Sequence, residues 1–271
     1  MMTHAIKRGF IVVLGLLVLL SLPGFLWRSQ QRSEVRSHYQ TLMAPVFLVP
    51  GSSATQNRFN ALVKELNRET PATHSLLRVE VKTTGQLVYT GRIQPGDTRP
   101  FIVVGFQNHH DGAQNILKQA KWFALAFNAL QKTYKFNHFS AMGHSNGGLV
   151  LTLFLENSLD QSAVRANRLM TIATPFNLEE DDAAVDTPLF KTLEAGRQRL
   201  PRQLVVYSIA GSKTFTGDGI VPFDSVNRGK YLFQNQVKGF TQITVTGANA
   251  NHADLPENQQ IVALIRQDLL S

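Results

Sequence analysis

From Pro45 onward the chain alternates short apolar runs with amphipathic stretches. Pro45–Gly51, PVFLVPG, is an apolar run closed by a Gly/Ser turn and predicts a buried strand. Arg58–Glu69 carries Phe59, Leu62, Val63 and Leu66 at helical spacing. Leu76–Ile93 alternates in two halves around Thr84-Gly85, the pattern of a hairpin. Pro100–Phe106 predicts another buried strand, and Ala120–Leu130, with Trp122, Phe123, Ala126, Phe127 and Leu130, a helix. Phe136–Met142 predicts a short strand, and Leu149–Leu155 a helix that begins directly after Gly148. Further strands are expected at Asn167–Pro175, Leu204–Gly211 and Phe240–Ala248. Pro256–Leu270 closes the chain as a helix, with Ile261, Leu264, Ile265 and Leu269 on one face and Pro256 in the first turn. Strands that alternate with helices imply an α/β class: a mostly parallel central sheet with helices on both faces.

Two segments depart from this rhythm. Asn177–Pro201 reads as an insertion with an acidic run, Glu179–Asp182, and a short helix starting near Asp186-Thr187-Pro188, a cap followed by proline. It is either a cover over the strand ends, where ligands bind in such sheets, or a solvated surface loop. The other is the N-terminus. Gly9–Trp27 is 19 residues without a charge, about 28 Å as a helix, close to the thickness of the hydrocarbon core. Lys7 and Arg8 precede it, as in a secretory n-region. It ends in Pro23-Gly24-Phe25-Leu26-Trp27-Arg28 rather than at a small-x-small cleavage site, which favours an uncleaved signal anchor over a cleaved peptide. The expected organisation is a transmembrane segment at 1–27, a polar juxtamembrane linker at 28–43, and one α/β domain at 44–271. The domain is expected on the extracellular side of a single-pass anchor, or secreted if the segment is cut.

Composition narrows the chemistry. The chain of 271 residues has 43% hydrophobic and 17% charged positions, a globular balance. It contains no cysteine, which excludes disulfides, thiolate metal sites and cysteine nucleophiles. The net charge is +8. Lys7, Arg8, Arg28, Arg32 and Arg36 against Glu34 account for 5 − 1 = +4 of it, leaving +4 for the domain. No Lys/Arg run is interleaved with aromatics, so nucleic acid is not an expected partner. An anionic surface or substrate stays open. No metal-ligand cluster is evident, and no cofactor is called for.

The candidate chemistry lies in Ala141–Gly148, AMGHSNGG, where Ser145 occupies the pattern G-x-S-x-G. The pattern is loose, but its context is specific. A strand precedes it and a helix follows, and Gly143 and Gly147 stand where a sharp elbow crowds the backbone. A serine hydroxyl needs a base, and the base needs an orienting acid. Asp218 follows the strand Leu204–Gly211, between Gly217 and Gly219. His252 follows the last strand. Each alone has a plain alternative, a turn-forming Asp and an exposed loop His. Together they give the order Ser145, Asp218, His252, that of a catalytic triad projecting from one sheet edge. Asp224 is the fallback acid. His109, His110, His138 and His144 are weaker candidates for the base. An oxyanion hole needs two backbone N–H donors. Asn146 supplies one, and the turn after the first strand the other, with Ser52 the first choice and Ser53 the second.

These residues resemble the α/β-hydrolase superfamily, and within it an uncharacterised branch designated cell-surface hydrolases, known mainly from Gram-positive bacteria. The resemblance rests on VKTTGQLVYTG, QAKWFALAFNALQKTYKF, GHSNGG, ATPFN, GDGIVPFDS and NHADLPENQQI, in order from about Pro45 to the C-terminus. Pro50-Gly51 stands where many relatives have His-Gly, and Asn146 where Met is commoner. Because both donors are backbone groups, only the bracing of the turn should change. The resemblance implies acyl chemistry: attack by Ser145, proton transfer through His252, and Asp218 holding the imidazole. It leaves the substrate open, whether a small-molecule ester or a lipid or envelope-linked one. Alternatives are an acyltransferase, or a binding module in which the triad is silent.

Overall fold

The computed structural model describes residues 42–68, 73–180, 182 and 184–270. The expected membrane segment at 1–27 and most of the linker lie outside the described residues. Among the described residues, no helix is long and apolar enough to cross a membrane.

Eight strands form one sheet in the order β3-β2-β4-β1-β5-β6-β7-β8. They are β1 (Val46–Val49), β2 (Leu76–Val81), β3 (Leu87–Gly91), β4 (Phe101–Phe106), β5 (His138–His144), β6 (Arg165–Ile172), β7 (Val205–Ser212) and β8 (Gly239–Thr246). Every pairing is parallel except the β2–β3 hairpin. That hairpin turns at Gly85, whose φ of 86° and N–H bond to Lys82 O form the tight turn expected there. The helices are α1 (Asn60–Arg68), α2 (Ala113–Tyr134), α3 (Asn146–Asn157), α4 (Pro188–Gly196), α5 (Phe223–Asn227), α6 (Gly229–Phe233) and α7 (Gln259–Asp268).

The apolar runs are continuous because both faces of the sheet are covered. In β1, Phe47 and Val49 face the core shared with α2, α3 and α4, while Val46 and Leu48 face the one shared with α1 and α7. The first core is aromatic. Phe47, Phe123, Phe127, Phe136, Phe139 and Phe154 are buried with ring centroids 4.8–6.4 Å apart, most of them tilted or edge-on. This cluster clamps α2 and α3 to β1 and β5, and so fixes the place where β5 hands over to α3.

Several expected boundaries shift for local reasons. α2 extends a turn or more beyond Ala120–Leu130 at both ends, its first turns burying Ile116 with Ala113 and Leu117 against the core and its last turn being mostly polar. α3 begins at Asn146, not at Leu149, so Gly147 and Gly148 lie inside its first turn. Pro256 lies in a separate 3₁₀ turn, Leu255–Glu257. The last helix starts after Asn258, whose side chain caps Gln260 N. Thr187 caps α4 through Phe190 N, with Pro188 next, as the sequence implied. The insertion divides in two: Leu178 and Glu179 stay at the strand ends, while Arg199 reaches back to Glu156 O and Asn157 at the end of α3. The short helices α5 and α6 carry too few residues for any periodicity to announce them.

Candidate active site

Between the last residue of β5 and the first of α3 only Ser145 remains to reverse the chain. It does so with φ 54° and ψ −130°, a region that costs a residue with a side chain about 1–3 kcal/mol. Neighbouring bonds hold it there. Ser145 N–H donates to Ile172 O at 2.8 Å, and Gly148 N–H donates to Ser145 O at 3.0 Å. The glycines of the motif are required by close approach. A Cβ on Gly143 would stand 2.4 Å from Gly148 N, and one on Gly147 would stand 2.1 Å from Val49 O. The turn after β1 presses from the other side, since a Cβ on Gly51 would lie 2.6 Å from Ser145 Cβ. Ser145 is half-buried among buried neighbours, which leaves its hydroxyl accessible on an elbow that cannot relax.

The loop after β7 delivers the acid, and the loop after β8 the histidine. His252 Nδ1 lies 2.7 Å from Asp218 Oδ2, and His252 N–H donates to Asp218 O at 3.1 Å. Asp218 Oδ1 accepts from Ile220 N and Val221 N at 3.0 and 2.8 Å. Burial alone would push this carboxyl up. The hydrogen bond to His252, the charge of that ring and the two amides outweigh it, so Asp218 sits below the ordinary carboxylate range. A carboxylate only accepts, so Nδ1–H is the donor in this bond and Nε2 is the ring nitrogen left for another partner. Asp224, the fallback acid, lies in the first turn of α5 and has no part in this pair.

Two side chains that the sequence reading passed over hold His252 in place. His144, the variable residue of the elbow, packs its ring on His252 with centroids 4.9 Å apart and bonds through Nε2 to His252 O at 2.9 Å. Burial, reinforced by the charges of His252 and Arg58, lowers its pKa to about 3. His144 is therefore neutral, and its Nε2–H donates to that carbonyl. Arg58, ahead of α1, forms a two-pronged bond with Glu257 at 2.7 and 3.1 Å and also donates to Ala253 O. It thereby straps the His252 loop from both sides. Proximity to Ser145 in sequence could have flagged His144. Arg58 and Glu257 lie 199 positions apart and carried no such signal.

The structure joins Ser52 and Asn146 in an unexpected way. Asn146 Nδ2 donates to Ser52 Oγ at 2.6 Å and to Asp111 Oδ1 at 2.7 Å. The side chain of Asn146 thus braces the turn after β1, where the sequence reading required only its N–H. Among the described residues, neither Ser52 N–H nor Asn146 N–H donates a hydrogen bond within the protein. Ser53 N–H is engaged by His109 O at 2.8 Å, which removes the second-choice donor. Beside Asn146 lies a cavity of about 190 Å³ lined by Asp111, Gly112, Pro175, Leu178 and Glu179. Among the described residues, no hydrogen bond links Ser145 Oγ to His252, and no three His, Asp or Glu side chains gather as a metal would need.

The family described as alpha/beta hydrolase of unknown function (DUF915) matches residues 33–271. A solved structure from Lactobacillus plantarum WCFS1, a protein designated a cell surface hydrolase, is 58% identical, with TM-score 0.78, over 85% of this chain and 92% of that one. The lin2722 gene product of Listeria innocua is similar in fold at 24% identity and TM-score 0.75, over 83% and 94%. An esterase (EaEST) from Exiguobacterium antarcticum shares the fold at 13% identity and TM-score 0.50, over 84% and 92%. No curated protein matches the sequence. The chain belongs to the DUF915 family of alpha/beta hydrolases.

Proposed function

We propose that this family member is a serine hydrolase that cleaves an ester through an acyl-enzyme. The observation that carries the reading is the Asp218–His252 bond, delivered by the loops after β7 and β8 to the sheet edge where Ser145 is held in a strained turn. His252 Nε2 takes the Ser145 proton as Oγ attacks the carbonyl carbon. The tetrahedral oxyanion is met by Ser52 N–H and Asn146 N–H at the start of α3. His252 then protonates the leaving alcohol. Water, deprotonated by the same nitrogen, releases the acid and restores the serine. Asp218, buried and ionised, stabilises the imidazolium formed in each half-reaction.

We take the small, solvent-open pocket beside Asn146 as the seat of a short acyl group. At about 190 Å³ it lies below the 300–1,000 Å³ of typical ligand sites. The carboxylates of Asp111 and Glu179 on its wall disfavour an anionic acyl chain. A fluorophosphonate probe should label the wild type and not Ser145→Ala. A series of p-nitrophenyl esters should give kcat/KM highest at acetyl to butyryl and falling with longer chains. Labelling that survives in Ser145→Ala would overturn the assignment of the nucleophile, and a maximum at long chains would overturn the assignment of the cavity.

A further inference from the structure

Parallel strands give the sheet two unlike edges. Ser145, Asp218 and His252 lie where the strands end. Where they start, the chain places cations: Arg99 ahead of β4, Lys135 ahead of β5, Arg165 and Arg168 in β6, Arg202 ahead of β7 and Lys238 ahead of β8. The register sets several of these side by side, with His138 opposite Arg165, Arg168 opposite Val205, and Val205 opposite Gly239. Arg165, Arg168 and Lys238 line an open cleft of about 300 Å³ with Asn167, Gln203 and Val205. The local field is felt by His138, whose imidazole is held below its ordinary value by burial and then by the charges of Arg165 and Arg99.

Carboxylates share this edge with those cations, hydrogen-bonded but still charged. Asp97 accepts from Ser75 N and Arg99 N, Asp160 accepts from Ser162, and Asp268 bonds Tyr207 next to Arg168. Arg165, Arg202 and Lys238 are exposed and form no ion pair among the described residues. The opposite edge is richer in acid, with Asp111 and Glu179 on the cavity beside Asn146 and the acidic run continuing through Glu180 and Asp182, against Lys213 after β7 and Arg58, which is paired with Glu257. The domain therefore carries a charge separation along the strand axis, over roughly 20–25 Å for strands of seven or eight residues.

We propose that the strand-start edge docks on the phosphate headgroups of an anionic bilayer, and that this holds the active site facing away from the membrane. The chain itself argues for a bilayer as the occupant. Its described part begins at this edge, where Ala44 N–H donates to Thr98 O and Val46 N–H to Pro100 O. The uncharged run Gly9–Trp27 is joined to it only by residues 28–41, a length of about 50 Å when fully stretched. That connection holds Arg28, Arg32 and Arg36 against Glu34, a further 3 − 1 = +2 of the same sign. A positive face tethered to a negative leaflet is drawn down, and the acidic catalytic edge is repelled. The substrate is then met from the aqueous side and is not lifted from the bilayer. This inference rests on the reading of residues 9–27 as an anchor and is independent of the hydrolase reading.

The absence of cysteine makes the test direct. The full chain is placed in lipid nanodiscs of neutral phosphatidylcholine, or of the same lipid with phosphatidylglycerol. A fluorophore is attached at Gln203→Cys or at Phe215→Cys, the latter a fully exposed residue on the loop that carries Asp218. The expected result is a several-fold loss of quenching by a water-soluble quencher at position 203 in anionic discs only, with position 215 unchanged. Arg165→Glu with Lys238→Glu, or high salt, should abolish the protection. An unaltered thermal unfolding curve shows that the variant is folded. Equal quenching in both lipids, protection at 215 in place of 203, or a full chain that enters neither disc would overturn the proposal. So would protection that inorganic phosphate removes at constant ionic strength, which marks a small-anion site.

Discussion

Glu156 offers a quantitative test of the core around α3. It lies on α3, is 4% exposed, and neither carboxylate oxygen has a hydrogen-bond partner. Gly196 packs against it so closely that a Cβ there would lie 2.3 Å from Glu156 Oε2. Burial pushes its carboxyl up from 4.5 to about 8, a rise that the nearby Arg199 charge only moderates. The folded state therefore binds a proton that the unfolded chain releases above pH 4.5. Where the folded state binds more protons, stability falls as pH rises. The stabilisation is complete below pH 4.5 and is lost as pH climbs through about 8. At 1.36 kcal/mol per unit, a rise of 8 − 4.5 = 3.5 units sets a ceiling of about 5 kcal/mol, with about half of that expected once water and side chains relax. Glu156→Gln keeps the shape and removes the charge. Urea unfolding of wild type and variant, followed by far-ultraviolet circular dichroism across this range, should give near-equal stability at the acid end. The variant should gain about 2–5 kcal/mol at the alkaline end. A gap that stays constant with pH would refute the reasoning, because it would mean that the carboxylate is solvated or paired in the folded protein.

Three further outcomes test the site. Asp218→Asn keeps the shape but removes the charge and reverses the tautomer preference of His252, so kcat on a short ester should fall by about four orders of magnitude while the fold survives. Asn146→Ala keeps the backbone N–H and loses both Nδ2 bonds. At about 1.4 kcal/mol for one of them felt in the transition state, kcat should fall about tenfold with KM nearly constant. A larger change in KM than in kcat would show that the side chain binds substrate and does not brace the turn. Gly51→Ala places a methyl 2.6 Å from Ser145 Cβ, and displacing the nucleophile should cost on the order of a hundredfold in rate. Wild-type activity in that variant would show that the turn after β1 yields easily.

The sequence alone determined the architecture and the order in which Ser145, Asp218 and His252 follow their strands. Apolar runs such as Phe47–Val49 and Ile102–Val104 can be satisfied only by a sheet covered on both faces, and a period-two pattern around Gly85 only by a hairpin. The crowding at Gly143 and Gly147 was legible because only glycine fits where two backbones touch. What stayed hidden was whatever depends on residues distant in the chain. Proximity between Arg58 and Glu257, or among Asn146, Ser52 and Asp111, leaves no trace in local periodicity, because each pair meets only after the β-strands have set the two edges of the sheet. That Ser53 N–H is engaged by His109 while Ser52 N–H is not, and that Asp218 and not Asp224 pairs with His252 in the loop after β8, are likewise tertiary facts. Charge shows the same division. Composition gave the domain a net +4, but only the parallel register gathered Arg165, Arg202 and Lys238 at one end of the strands and Asp111 and the acidic run of Glu179, Glu180 and Asp182 at the other.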